Sequence, residues 1–427
     1  MENAAIKAVT KGPKQHFFGF HDLCPWDEGE RHMLAMETSF LDRMPTPKDT
    51  AGICLIDLER DVTEVLAETS AWNFQQGARL QWIPNKQDHI IYNDRRDGRF
   101  VSVIYDIKKK KEINVLEYPI YAVHPDGTFA LGLDFAWLLK HGGYGYTSAI
   151  SVETQDDGER SIEKENGIRK VNIKTGESKL IISTYSVMHL QNKPGKDEHH
   201  VLTHATFNPS GTRICFVDKF LLPDGGFMQR PITANPDGSD LYVLPGHISH
   251  FDWKSDTEIL GYGKFSPKAM ALRKRGLLKH PLLRPALYVA RKLRGGVKQK
   301  IAGQSYFLLK DKTRKVERIA VGRMTEDGHP QFSPDKKWIV TDTYPDKENK
   351  RTLILYNWNT GERIDIERFL SLPDSLPDIK SDWNVSGMRS DLHPRWNRSG
   401  TQICFDSVDK ESKQIYVADV DSITHGK

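Results

Sequence analysis

Five histidines each open a copy of one repeated phrase. His204 begins His-Ala-Thr-Phe207-Asn-Pro-Ser-Gly211-Thr-Arg-Ile-Cys215-Phe, and His393 begins His-Pro-Arg-Trp396-Asn-Arg-Ser-Gly400-Thr-Gln-Ile-Cys404-Phe. Shorter versions start at His329 (His-Pro-Gln-Phe332-Ser-Pro-Asp335) and His250 (His-Phe-Asp-Trp253-Lys-Ser-Asp256), and a looser one starts at His21. Imidazoles repeated in this way have three uses. They bind first-row metals, usually with a carboxylate or water completing the set. They exchange protons near neutral pH. Or they fasten one structural repeat to the next by hydrogen bonds. Spacing alone leaves all three open. Tyr144 and Tyr146, set among glycines in His141-Gly-Gly-Tyr-Gly-Tyr, are the next groups able to move a proton. Arg230 and Arg389 suit an anionic ligand, while Gln75, Gln76, Asn93 and Asp94 suit sugar hydroxyls.

The elements that position these residues can be counted twice. Entry strands open near His21, Arg79, Ile120, His204, His250, His329 and His393. Outer hairpins, where a strand runs into a polar turn, lie at Ile53, Val103, Ile168, Ile232, Tyr306, Leu353 and Ile415. Both counts give seven units. Four-strand units of this spacing predict an all-β, seven-bladed β-propeller, folded as one domain over residues 1–427. In such a fold the head of each entry strand lies near one mouth of the central channel. Five histidines and Arg79 would therefore share that mouth. The last unit stops too soon to supply its outermost strand, so Ala5-Ile-Lys-Ala is expected to close it. Two insertions break the period. One is the Phe135–Tyr146 stretch, with Tyr144 and Tyr146 on a glycine-flanked loop, followed by a polar loop through Asp156-Asp-Gly-Glu-Arg. The other is Lys268–Lys300 in blade five, whose leucines recur at helical spacing among basic residues, as in a short amphipathic helix.

Composition narrows the classes. With 38% hydrophobic and 28% charged residues, the chain reads as a soluble globular protein. No apolar run reaches the roughly 18 residues of a membrane span. The N-terminus has no apolar signal core, and the four cysteines form no CxxC, so a monomer in the reducing cytoplasm is expected. Cys215 and Cys404 fall at matching places and read as buried strand residues. The Lys268–Lys300 stretch contains eleven Lys or Arg and no acidic residue, which suits an acidic polymer, nucleic acid or an anionic membrane surface; as one isolated element in a chain otherwise net acidic, it does not make nucleic acid an expected partner. There is no nucleophile elbow, P-loop or zincin motif.

Several phrases taken together resemble a known family. They are Phe17-Phe18-Gly19 with Asp22, Ala71-Trp-Asn-Phe-Gln-Gln-Gly77, His141-Gly-Gly-Tyr-Gly-Tyr146, Ser249-His250, Gly328-His329-Pro, Thr341-Asp-Thr-Tyr-Pro-Asp346 and Asp391-Leu-His393-Pro-Arg-Trp396. In this order they resemble the seven-bladed propeller polysaccharide lyases: the oligogalacturonate lyase type, and more closely the ulvan lyase type. The resemblance implies β-elimination on a uronic acid, with its carboxylate neutralised so that charge can build after C5 loses its proton. It implies His204 with Tyr144 or Tyr146 as proton-transfer groups, and Arg79 or Arg230 facing the carboxylate. It implies His250, His329 and His393 around a divalent ion (Zn, Mn or Ca), with Gln76, Asn93, His21 and Arg389 contacting an acidic oligo- or polysaccharide. The contrasting expectation is a non-catalytic propeller that binds an acidic glycan, or a glycan-assembly partner, at the membrane surface.

Overall fold

The second half of the repeated phrase is a turn specified by its asparagine and glycine. Asn208 Oδ1 accepts from the Arg213 N–H at 2.9 Å, and the Gly211 N–H donates to Asn208 O at 2.9 Å. In the other copy Asn397 Oδ1 accepts from the Thr401 and Gln402 N–H groups at 2.9 and 2.8 Å. Gly211 and Gly400 sit at φ +74° and +75°, where a Cβ is disfavoured. The turn reverses the chain, so that His200–Phe207 pairs antiparallel with Ile214–Leu221, and Arg395–Trp396 with Gln402–Asp409. The outer hairpins at Asn172 and Asn357 use a second local pattern. Each asparagine side chain accepts two N–H groups of its own turn, and a glycine N–H four residues on closes onto its carbonyl.

The computed structural model describes residues 4–141, 144–151, 164–190, 199–222, 227–265, 303–372, 390–409 and 412–426. The expected basic helix over Lys268–Lys300, and Arg389, lie outside these residues. The described strands form five four-stranded antiparallel sheets, each in sequence order, and one eight-stranded sheet. The eight-stranded sheet joins two four-strand runs through a single pair, Leu370 with Val408. Its outermost strand is Ala5–Ala8, paired antiparallel with Ser412–Asp419 in the register Ala5↔Asp419, as the sequence led us to expect. No described helix is long and apolar enough to cross a membrane.

By contacts the chain divides into two compact units. Unit one comprises residues 1–155, 171–179 and 329–427; unit two comprises residues 156–170 and 180–328. Unit one is built on the sheet Gln15–Phe17, His32–Thr38, Ala51–Asp57 and Val62–Thr69, the sheet from Gln81–Trp82 to Lys111–Leu116, and the eight-stranded sheet. Phe17, Phe18, Trp26 and Trp72 are fully buried in its core, each contributing about 1.5–3 kcal/mol by leaving water. Unit two holds the sheets that begin at His200–Phe207 and His247–Trp253, packed around Cys215, Val217, Ile248, Trp253 and Phe307. Cys215 and Cys404 are buried strand residues, and none of the four cysteines is paired.

The heads of the repeats are not smooth strand. Pairing breaks register between Thr203 and Thr206, around His204, and between Ile248 and Phe251, around His250. In unit one the Asn93 N–H bonds to Ala78 O at 2.8 Å, and the regular ladder resumes only beyond Arg79, at Gln81. The Asp406 N–H likewise bonds to Leu392 O at 2.9 Å, and pairing resumes beyond His393, at Arg395. Arg79, His204 and His393 have φ of +52°, +53° and +42°. A side chain in that region costs on the order of 1–3 kcal/mol, and such bulges re-aim the side chain they carry.

The Phe135–Tyr146 insertion opens with an element to which the sequence spacing assigns no type. Residues Phe135–Lys140 form a short helix capped by Asp134, whose carboxylate accepts from the Ala136 and Trp137 N–H groups at 2.9 and 3.0 Å. The aspartate ahead of an apolar run is the sequence signal for this helix.

Candidate metal centre

Unit one brings together three of the five repeat histidines. The His329 and His393 ring centroids are 4.3 Å apart, and His21 lies 5.4 Å from His329 and 6.3 Å from His393. Phe20 packs against all three, with centroid distances of 4.5 Å to His21, 4.9 Å to His393 and 5.9 Å to His329. All three imidazoles are buried.

Two of the rings are fixed by their Nδ1 atoms. His329 Nδ1 bonds to Asp342 Oδ1 at 2.8 Å, and the His329 backbone N–H donates to the same oxygen at 2.8 Å. Asp342 Oδ2 accepts from the Leu392 N–H at 3.1 Å. Burial pushes the Asp342 carboxyl up, but the His329 ring and its hydrogen bonds outweigh this and hold it at about 2. His393 Nδ1 donates to Gly19 O at 2.9 Å, so its proton is on Nδ1. Burial, then the neighbouring His329, Arg395 and His21, push the His393 imidazole well below its usual range. His393 Nε2 is buried and makes no hydrogen bond; Asp391 Oδ2 stands 3.8 Å from it.

One donor atom from each of His329, Asp391 and His393 lies within 4.8 Å of the others. The set fits a divalent first-row ion. It offers two imidazoles and one carboxylate, a buried ring nitrogen without a hydrogen bond, and Nδ1 atoms held by a carboxylate and a carbonyl. Such backing is typical of metal-binding histidines.

The backbone beneath the centre is pinned from behind. Arg395 is fully buried; its Nε donates to Phe20 O at 3.2 Å, its Nη2 to Gly19 O and its Nη1 to Asp406 Oδ1 at 3.1 Å. Gly19 and Gly77 allow the close approach that follows. A Cβ on Gly77, at φ +57°, would meet Phe18 O at 2.7 Å, and one on Gly19 would meet Gln76 O at 2.9 Å.

Other expected site residues in unit one hold the architecture around this centre. Arg79 is fully buried, forms a bidentate pair with Asp22 at 3.0 and 2.8 Å, and lies over the Tyr121 ring at 3.8 Å. Gln76 Nε2 donates to the Tyr121 hydroxyl at 3.1 Å. Asn93 Nδ2 donates to Ile120 O at 2.8 Å and to the Tyr146 hydroxyl at 2.9 Å. Tyr146 is buried, stacked on Phe135 at 4.1 Å, and burial pushes its phenol far up. Tyr144 is only half-buried and its ring lies 6.3 Å from Phe20. Asn73 holds its backbone, donating to Tyr144 O and Gly145 O at 3.1 and 3.2 Å.

In unit two, His250 Nδ1 lies 3.1 Å from Asp327 Oδ1, and the Ser249 hydroxyl reaches the same carboxylate at 2.9 Å. Arg230 Nε donates to Asp218 Oδ2 at 2.9 Å, while Asp218 Oδ1 takes His200 Nδ1 at 2.7 Å. His204 is buried at the bulge of its strand. The sequence reading assigned no role to Asp22, Asp218, Asp327, Asp342, Arg351 or Asp391. Asp342 and Asp391 stand inside phrases it had singled out.

With this geometry in hand, known structures give the class of fold. No family model and no curated protein sequence matches the chain. Among solved structures, an oligogalacturonate lyase in complex with manganese is 16% identical, over 97% of this chain and 93% of that one, with a TM-score of 0.62. An oligogalacturonate lyase from Vibrio parahaemolyticus is 14% identical, over 97% and 93% of the two chains, with a TM-score of 0.61. The fold is the all-β propeller of these lyases. At such identities the likeness is one of fold.

Proposed function

We propose that the protein is a metal-assisted lyase that cleaves a uronic-acid-containing oligo- or polysaccharide by β-elimination. The supporting observation is the His329–Asp391–His393 group, with both imidazoles anchored through Nδ1, in the fold of the oligogalacturonate lyases. A divalent ion held there would supply positive charge to a uronate carboxylate and so make the C5 proton more acidic. In the reaction the C5–H and C4–O4 bonds break, the C4–C5 double bond forms, and O4 leaves with a proton. His21, the third imidazole, takes the C5 proton in this reading. Tyr144, half-buried and set against Phe20, gives one to O4. Phe20 keeps water from the rings it covers, and Asp342 and Gly19 O hold the His329 and His393 protons on Nδ1. Arg79 and Arg230 are bound to Asp22 and Asp218, so the carboxylate is left to the metal group.

The test uses chelator-treated protein and a panel of uronate polymers and oligomers, with and without added manganese. The expected result is a metal-dependent rise in the ultraviolet absorbance of the unsaturated uronate. Silence across the panel, from protein shown to have taken up manganese, overturns the reading.

A further inference from the structure

Arg351 stands behind the metal group. It lies on the strand Lys350–Asn357, is 1% exposed, and its guanidinium reaches three other segments. Nε donates to Ser371 Oγ at 3.0 Å and Nη1 to Thr343 O at 3.0 Å. Nη2 pairs with Asp391 Oδ1, while Nη1 lies 4.0 Å from Asp342 Oδ2. One cation thus touches the carboxylate within the donor group and approaches the carboxylate that orients His329.

The two oxygens of Asp391 are thereby made unequal. Oδ1 belongs to Arg351, and Oδ2 faces His393 Nε2 at 3.8 Å. We propose that Arg351 is a positioning residue that turns Asp391 into a one-oxygen ligand and holds that oxygen toward His393. This rests on the metal-assisted reading above, and it adds a specific division of labour. Arg351 also offsets the repulsion between two carboxylates crowded into one site, since it pairs with Asp391 and stands 4.0 Å from Asp342. A guanidinium suits this place because its planar fork serves Ser371, Thr343 and Asp391 at once, which an ammonium cannot do.

The experiment measures manganese binding by titration calorimetry on chelator-treated, full-length protein, with no substrate present. Arg351→Met is expected to weaken binding about 10–100-fold, the usual cost of losing a residue that backs a metal ligand. Arg351→Lys, which keeps the charge but not the fork, is expected to fall between that variant and the wild type, and it serves if Arg351→Met does not fold. The decisive comparison is the same substitution in an Asp391→Asn background, where Arg351 has no carboxylate to position. There the further loss should shrink to about threefold or less, because the two residues act as one unit. An undiminished loss in that background shows general structural damage and overturns the inference. Wild-type affinity in Arg351→Met also overturns it. If the wild-type protein binds no manganese at all, the metal reading itself fails, and the two failures are told apart.

Discussion

Asp342→Asn gives the sharpest test of how the centre is built. Asp342 accepts three hydrogen bonds: from the His329 ring and backbone at 2.8 Å each on Oδ1, and from the Leu392 N–H at 3.1 Å on Oδ2. An amide of the same shape has one oxygen and one NH2. With its oxygen toward His329, the NH2 opposes the Leu392 N–H and faces Arg351, and one buried donor is left unmade. With its oxygen toward Leu392, the NH2 faces His329 and moves the ring proton to Nε2, where it blocks metal binding. Either orientation orphans a buried donor at about 1–3 kcal/mol and removes a charge-assisted bond to the ring. The expected loss of stability is about 2 kcal/mol, read from the urea midpoint in chelator. Manganese affinity, read by calorimetry, should fall about 10–100-fold. A variant destabilised as expected but binding manganese within about threefold of the wild type would refute the claim that Asp342 sets the His329 tautomer.

Three further outcomes follow from the geometry. Tyr144→Phe should abolish turnover, whereas Tyr146→Phe should cost about 1 kcal/mol of stability through the bond from Asn93; equal activity losses from both would contradict the assignment of Tyr144. Lys219 is buried and its ammonium is pushed down to about 8 by that burial, so between about 8 and 10.5 the unfolded chain binds a proton that the folded one does not, and stability rises with pH across that window. Lys219→Met should therefore stabilise at pH 7 by up to about 3 kcal/mol, with the gain shrinking as pH rises toward 10; a gain independent of pH would show that the ammonium was not the cost. Gly77→Ala should cost at least about 1 kcal/mol in chemical denaturation, because its Cβ would meet Phe18 O at 2.7 Å; an unchanged midpoint would mean that the Phe18–Gly77 approach can open freely.

Much of the fold was legible because its determinants are local. The Asn-x-Ser-Gly turns, the Asn-x-x-Thr-Gly hairpins and the buried Cys215 and Cys404 are written in consecutive residues, and the structure places them where the spacing predicted. The closing pair of Ala5–Ala8 with Ser412–Asp419 was legible for another reason: a sheet one strand short needs a partner. The centre was half legible. Its histidines repeat, so they stood out; their carboxylates do not repeat. Asp342 reaches His329 across the fold of one sheet, and Arg351 reaches Asp391 from the start of the strand Lys350–Asn357. Neither distance is a period of helix or strand, so no pattern in the chain announces it. The commitment of Arg79 to Asp22 was hidden in the same way, since a lone arginine in sequence looks available for a ligand.

The pairing of Ala5 with Asp419 also sets a schedule. The ribosome adds roughly 5–20 residues each second, so residues 5–8 wait roughly twenty to eighty seconds before their partner strand exists. Until they dock, the strand Ser412–Asp419 has one side open to any extended segment nearby. The four mostly exposed residues Ala5–Ala8 bury little surface of their own. Their part is to wait and then occupy an edge that another chain would otherwise take, making them a guard against misassembly once Ser412–Asp419 has been made.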